Sequence, residues 1–185
     1  GADSLLCIYL MPKPRPWCNL MGLGPQRDRF LRESLQELKE QLRALGQDLM
    51  VLEGSPELVL PNIVDRFSID RVTTCYTSGW HESQAIAFLE KKLTATLSVF
   101  RGSTLFDAEQ FPFEMADLPD TFSPFRRKVE KLNISNPMAA PSTLPPPPSA
   151  QFDSIPKAAA SPHPGLPLPG GSAAGLRRLD QFLFQ

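Results

Sequence analysis

Leu5-Leu6-Cys7-Ile8-Tyr9-Leu10 is an unbroken apolar run, and its place at the head of a strand–helix alternation decides the fold. A run this short, with no polar alternation, predicts a strand buried on both faces. The next stretch carries Pro12, Pro14 and Pro16 and cannot be regular structure. Pro25 then stands at a first helical position. Leu31, Leu35, Leu38, Leu42 and Leu45 recur at helical spacing, and Gly46 closes that helix as its C′ residue. Leu49-Met50-Val51-Leu52 is the next strand. Ser55-Pro56-Glu57 supplies an N-cap, a proline at N1 and an acid facing the helix dipole, for a helix running to about Phe67 with a bend at Pro61. Val72-Thr73-Thr74-Cys75 predicts a strand, and Glu82 to Leu93 a helix with Ala85, Phe88 and Leu89 inward. Thr96-Leu97-Ser98-Val99-Phe100 is a further strand, and Ser123-Pro124 opens a helix from Phe125 to Leu132. Strand and helix alternate four times, which predicts an α/β domain: a doubly wound parallel sheet with helices on both faces. Ligands in such sheets bind at the carboxyl ends of the strands, so the loops after Leu10, Leu52, Cys75 and Phe100 are the ones to watch.

The chain has 185 residues, which sets a prior of about one domain. Its net charge of −1 gives no basic field to draw it to nucleic acid or an anionic membrane. Leu5 to Met11, the longest apolar run, is far short of the roughly 18 residues that span a bilayer. No signal-peptide pattern precedes it. Cys7, Cys18 and Cys75 are odd in number and lack CxxC spacing, and two of them fall in predicted strands, where a reduced cysteine packs as a small apolar residue. A reducing, cytoplasmic compartment is expected. The chain begins with Gly1 in place of Met, which predicts processing or excision from something longer.

The composition changes at about Asn136. From Pro137 to Pro169 the chain is mostly Pro, Ala and Ser and holds eleven of its 20 prolines. Such a tract buries too little apolar surface to order itself, and Pro145-Pro146-Pro147-Pro148 predicts local polyproline II. Extended at about 3.1 Å per residue, it is long enough to wrap a neighbouring domain. No basic residue adjoins the four prolines, so a spacer is the simpler reading than an SH3 or WW ligand. A new helix begins near Gly170 and includes Leu176 to Gln185.

The candidate chemistry is thin. Gly22-Leu23-Gly24 lies between a strand and a helix, but Arg27 occupies the third glycine position of GxGxxG and Pro25 removes an amide that would face a phosphate. His81 and Glu82 sit beside Trp80 at a strand's carboxyl end. The only other histidine is His163 in the proline tract, so a histidine metal site has no support. A solvated helix start, with Glu82 favouring the dipole, is the plainer interpretation. Arg126-Arg127-Lys128 and Lys131 place cations late in a helix, where the dipole alone favours them. No nucleophile elbow, Walker loop or catalytic carboxylate pair is present.

Several segments resemble the amino-terminal domain of the photolyase/cryptochrome family. Gly24-Pro25-Gln26-Arg27-Asp28-Arg29-Phe30-Leu31-Arg32-Glu33-Ser34-Leu35 is similar to its GPxRxRFLxESL helix start, and Gly102-Ser103-Thr104-Leu105-Phe106 to its GSTLY segment. Phe111-Pro112-Phe113, Asp117-Leu118-Pro119-Asp120-Thr121-Phe122 and Phe125-Arg126-Arg127-Lys128-Val129-Glu130 resemble the DASH-type branch. Gly170-Gly171-Ser172-Ala173-Ala174-Gly175-Leu176-Arg177-Arg178-Leu179 resembles the GGETAALxRL opening of the flavin domain.

The resemblance implies a photolyase-type Rossmann-like antenna domain over residues 1–132, an interdomain linker over 133–171 and the first helix of an FAD-binding helical domain over 172–185. It implies FAD in the parent protein, an antenna chromophore (methenyltetrahydrofolate or a deazaflavin) in the α/β domain, and light-driven repair of pyrimidine dimers in DNA, or blue-light signalling, through the helical domain. The family's first strand, with its WFRxDLRxxDNP signature, is not in this chain. In the 3-2-1-4-5 strand order its loss would leave a gap in the middle of the sheet. The helical domain that should follow Gln185 is not in it either, so the chain alone is expected to bind no FAD and to repair no DNA. DASH-type members tend to carry a folate-binding carboxylate in the loop after Cys75, where this chain has Thr77. The expected antenna site is Tyr76, Thr77 and Glu82, with Arg27 near another wall. Two other readings stay open: a non-enzymatic interaction module with an α/β domain and a polyproline arm, and a free-standing nucleotide-binding enzyme, weakened by the missing phosphate loop.

Overall fold

Five residues of the first apolar run form β1, Cys7–Met11, in a computed structural model that describes residues 2–11, 22–106, 108–134, 136–161 and 168–185. The loop prolines Pro12, Pro14 and Pro16, Cys18, His163 and part of the proline tract lie outside the described residues. The chain divides into two compact units, Gly1–Pro56 with Pro141–Gln185, and Glu57–Ala140.

In the first unit, α1 (Pro25–Ala44) starts behind an extended Gly24, with Pro25 in the first turn and Asp28 facing the dipole. It ends as the sequence predicts. Gly46 takes φ +78°, its N–H bonds to the Arg43 carbonyl at 3.1 Å, and Gln47 N–H reaches the Leu42 carbonyl at 2.9 Å. That pair of bonds is a Schellman closure, and the left-handed residue at its centre is the reason for a glycine there. β2 (Leu49–Glu53) pairs with β1 in parallel, from Cys7 opposite Leu49 to Met11 opposite Glu53. The core is Leu35, Leu49 and Ile155, with Tyr9, Leu31 and Val51 packed against it. All of β1 is only half-buried, short of the two-sided burial expected, because β2 is its one ladder among the described residues. Leu38 also departs from the expected stripe and stays 41% exposed. Lys39 takes the inward position instead, at 1% exposure.

Described parts of the proline tract beyond Pro141 pack against α1 and its neighbours. Prolines lack amide hydrogens but keep carbonyls, and α1 and its neighbours bond to these. Gln47 Nε2 donates to the Pro145 carbonyl at 2.7 Å, Leu5 N–H to Pro146 at 3.0 Å and Arg32 to Pro156 at 3.3 Å. Ile155 enters the core, and Lys39 Nζ stands 5.7 Å from the Phe152 ring centroid. The apolar surface and the donors that hold the tract come from α1, from β2 and from residues beside them. The Pro145 and Pro146 carbonyls are therefore engaged within the unit.

At its far end the tract docks on α1 through two glycines and opens α5 (Ser172–Phe184). Gly170 N–H donates to Glu33 Oε2 at 2.7 Å and Gly171 N–H to Ser34 Oγ at 2.9 Å. Glu37 Oε1 accepts from Ser172 Oγ at 2.6 Å and from Ala173 N–H at 3.0 Å, so a carboxylate of α1 caps the start of α5. Arg29, 5% exposed, holds Glu33 at 2.8 Å and also donates to the Leu168 carbonyl at 2.9 Å. Leu176, Leu179, Phe182, Leu183 and Phe184 of α5 are all exposed.

The second unit contains α2 (Pro56–Phe67), which begins at the boundary, then β3 (Arg71–Cys75), α3 (Trp80–Lys92), β4 (Thr96–Phe100), two short 3-10 turns and α4 (Phe122–Val129). β3 and β4 are parallel, with Arg71 opposite Thr96 and Cys75 opposite Phe100. Ile63, Val64, Ala85, Leu89 and Val129 are buried. Among the described residues the strands form two parallel ladders, β1 with β2 in the first unit and β3 with β4 in the second.

Several boundaries differ from expectation. α3 starts at Trp80, two residues before Glu82, and Phe88 is 41% exposed where it was expected inward. α4 starts at Phe122 behind an extended Thr121, so Ser123 and Pro124 lie inside its first turn. A proline is tolerated there because first-turn amides have no helical acceptor. Cys75 is exposed and Cys7 half-buried, with burial pushing the Cys7 thiol up from its ordinary value.

Candidate functional site

The carboxyl ends of β3 and β4 are joined one rung beyond the strands, where Tyr76 N–H donates to the Phe100 carbonyl at 2.7 Å. This bond brings Tyr76 and Arg101 together. The Arg101 guanidinium carbon lies 4.7 Å from the Tyr76 ring centroid, a cation–π stack at the end of the parallel pair. Arg101 has no carboxylate partner among the described residues. It was not among the candidates from sequence. The signal was a cation one residue past a predicted strand, in a loop already marked for attention.

Thr77 is exposed, and its carbonyl accepts from Ser83 Oγ at 3.3 Å, tying the loop to the first turn of α3. Gly79 is the extended N-cap residue. The Glu82 carboxylate folds back over Gly79, so that a Cβ built there would collide with Glu82 Oε2 and stand 2.9 Å from its Cδ. Glu82 thus sits on its own helix start, where the dipole favours a carboxylate. Glu82→Gln is expected to cost about 0.5 kcal/mol of stability and to leave any binding in this loop unchanged, measured by urea unfolding beside ligand titration. Trp80 is 70% exposed, and its ring meets His81 edge-on at 5.3 Å.

Tyr76, Thr77 and Glu82 share one loop of the second unit, whereas Arg27 belongs to the first, exposed on the opening turn of α1. The Gly22–Gly24 segment forms no phosphate loop: Gly24 is extended, and its carbonyl accepts Asp28 N–H as the first helical bond at 3.0 Å. The basic cluster is partly engaged, with Arg126 on Glu130 at 3.3 Å and Lys128 over the Phe113 ring at 4.8 Å. Phe113 stacks on Phe111 with centroids 5.3 Å apart and rings 4° from parallel. Beside them is an open cavity of about 580 Å³ whose walls include Glu109 and Glu114. Among the described residues no group of three or more metal-ligating side chains converges, and no helix is long and apolar enough to cross a membrane.

Known proteins are similar to this chain in sequence and in fold. The family model for DNA photolyase matches residues 1–148. The chain is 35% identical to a cryptochrome DASH of Gloeobacter violaceus, with 88% of this chain and 35% of that protein covered. It is 34% identical to the blue-light photoreceptor PHR2 of Arabidopsis thaliana, with 86% and 39% covered. The crystal structure of a Synechocystis cryptochrome superposes with a TM-score of 0.81 at 31% identity, covering 98% of this chain and 41% of that one. The chain therefore spans between a third and two fifths of the length of these relatives.

Proposed function

Because the chain belongs to the DNA photolyase family, we propose that it is the antenna-bearing α/β part of a DASH-type blue-light flavoprotein. The observation that carries this reading is the likeness to the Synechocystis cryptochrome across 98% of the chain. Residues 1–132 are the antenna domain, 133–171 the linker and 172–185 the first helix of a helical FAD-binding domain. Photoreception, or light-driven repair of pyrimidine dimers in DNA, belongs to that larger assembly. Free Cys7 and Cys75 suit a reducing cytoplasm.

The described residues do not fit FAD. No loop among them cradles phosphates, and the 580 Å³ cavity carries Glu109 and Glu114, which repel a pyrophosphate. The loop from Tyr76 to Glu82 better suits a chromophore that harvests light for a flavin elsewhere. It lies where ligands of parallel sheets bind, and Tyr76 gives it an aromatic wall. Thr77 offers a hydroxyl where DASH-type members tend to place a carboxylate, and Glu82 does not replace that charge, being turned onto Gly79.

The 185-residue chain, incubated separately with FAD, a folate and a deazaflavin and then gel-filtered, is expected to retain an antenna chromophore and no stoichiometric FAD. It is expected to leave pyrimidine dimers intact under blue light. A stoichiometric flavin spectrum, or dimer repair, would overturn the assignment.

A further inference from the structure

The Arg101–Tyr76 stack identifies which part of a chromophore this loop is built to hold. We propose that Arg101 is an anion anchor for the acidic tail, carboxylate or phosphate, of a flat aromatic ligand bound at the carboxyl ends of β3 and β4. The inference deepens the antenna assignment and rests on it.

Three features of the structure carry it. The guanidinium lies 4.7 Å from the Tyr76 centroid, so one face is fixed against a ring. The ring in turn is fixed to the sheet through the 2.7 Å bond from Tyr76 N–H to Phe100. Stacking holds a guanidinium by its face and leaves its N–H edge directed outward, the geometry that receives a carboxylate or phosphate through two parallel hydrogen bonds. Second, Arg101 is exposed and has no acid partner among the described residues. Among the described residues Arg29, Arg32, Arg43 and Arg126 each hold an acid, whereas Arg101 shares the unpaired state with other surface arginines and differs from most of them in resting over a ring at the strand ends. Third, the acid in the loop from Tyr76, Glu82, is folded over Gly79, and among the described residues it forms no ion pair with Arg101. By resemblance, DASH-type members tend to place a carboxylate in this loop, where this chain has Thr77. The side chains instead present a positive charge, which selects for an anionic ligand group.

The test uses paired probes that differ only in the tail: folic acid against pteroic acid, which lacks the glutamate, and riboflavin 5′-phosphate against riboflavin. Binding to the purified chain is followed by fluorescence titration. The tailed member of at least one pair is expected to bind more tightly, with the folate pair reporting a carboxylate and the flavin pair a phosphate. Arg101→Gln is expected to weaken the tailed probe about tenfold, the loss of a charge-assisted hydrogen bond, and to leave its tailless partner unchanged. Tyr76→Leu should reproduce that loss by unseating the guanidinium, whereas Tyr76→Phe should retain full binding. Equal binding of a tailed probe to the wild type and Arg101→Gln overturns the anchor while leaving the antenna assignment intact. Failure of all four probes to bind the wild type overturns both.

Discussion

Lys39→Met is expected to lower the unfolding free energy by about 3 kcal/mol, the low end for breaking a buried ion pair by removing one partner. Lys39 is 1% exposed. Its Nζ lies 2.6 Å from Asp48 Oδ1 and donates to the Leu49 carbonyl at 2.7 Å. Methionine fills most of the stem's volume, so the loss comes chiefly from the charge and its hydrogen bonds. Asp48 is left with Arg43 at 3.0 Å, whose side chain is 53% exposed and well screened. Burial alone would raise the Asp48 carboxyl, but hydrogen bonds from Lys39, Leu49 N–H and Arg43 together hold it below its ordinary value. Adding Asp48→Asn to Lys39→Met removes the stranded charge while keeping an acceptor for Leu49 N–H, and should recover part of the loss. Urea unfolding of the two variants checks both expectations. If Lys39→Met unfolds with the wild type, the pair contributes nothing.

Gly170→Ala is the second large effect. A Cβ at Gly170 collides with the Phe30 carbonyl oxygen and stands 2.8 Å from both Ser34 N and Glu33 Cβ. Two of these three atoms are α1 backbone and cannot yield without opening a helical turn. The cheaper response is for the segment to lift away, at a cost of about 1–3 kcal/mol, as for an overpacked core. Trypsin cleavage at Arg177 and Arg178 of α5 is expected to accelerate about tenfold, in proportion to the opened population. Gly102→Ala, with nothing within 4 Å of its Cβ, is the control and should leave cleavage unchanged.

Acid should open the same dock. The Gly170 N–H bond, with Arg29's hydrogen bonds and charge, holds Glu33 below its ordinary 4.5 despite some burial. Ser172 O–H and Ala173 N–H, aided by the charge of Arg177, do the same for Glu37. Both carboxyls are depressed in the docked state. Their contribution is therefore complete above 4.5 and is lost as pH falls through the lower folded values. Hydrogen exchange in α5 should be insensitive to these groups near neutrality and rise in acid, and Glu33→Gln with Glu37→Gln should remove that rise.

The β/α alternation was legible because each element carries its own local signal. Pro56 sets the start of α2, Gly46 the end of α1, and the Thr96–Phe100 run matches β4 residue for residue. Lys39 was not legible, since its partner Asp48 comes into reach only after the Gly46 turn reverses the chain. The contacts of the proline tract escaped composition because the donors that hold it, Leu5, Arg32 and Gln47, lie far away in sequence. At the candidate loop, sequence named Tyr76, Thr77 and Glu82 and read Glu82 most plainly as a dipole-facing residue at a helix start, which its position over Gly79 matches. Arg101 went unnoticed because its significance depends on a ring in the neighbouring strand's loop.

The four consecutive prolines bear on solubility as well as on packing. An exposed sheet margin invites another chain to add a strand, by offering amide hydrogens and carbonyls in alternation. Pro146 accepts the amide of Leu5, just ahead of β1, and the residues on either side of it are also prolines. Pro145 through Pro148 have no amide hydrogens, so a strand arriving along this border finds no donors with which to continue a ladder. The stretch that reads as bait for a binding partner thus offers, at this point, nothing for another strand's carbonyls to accept from.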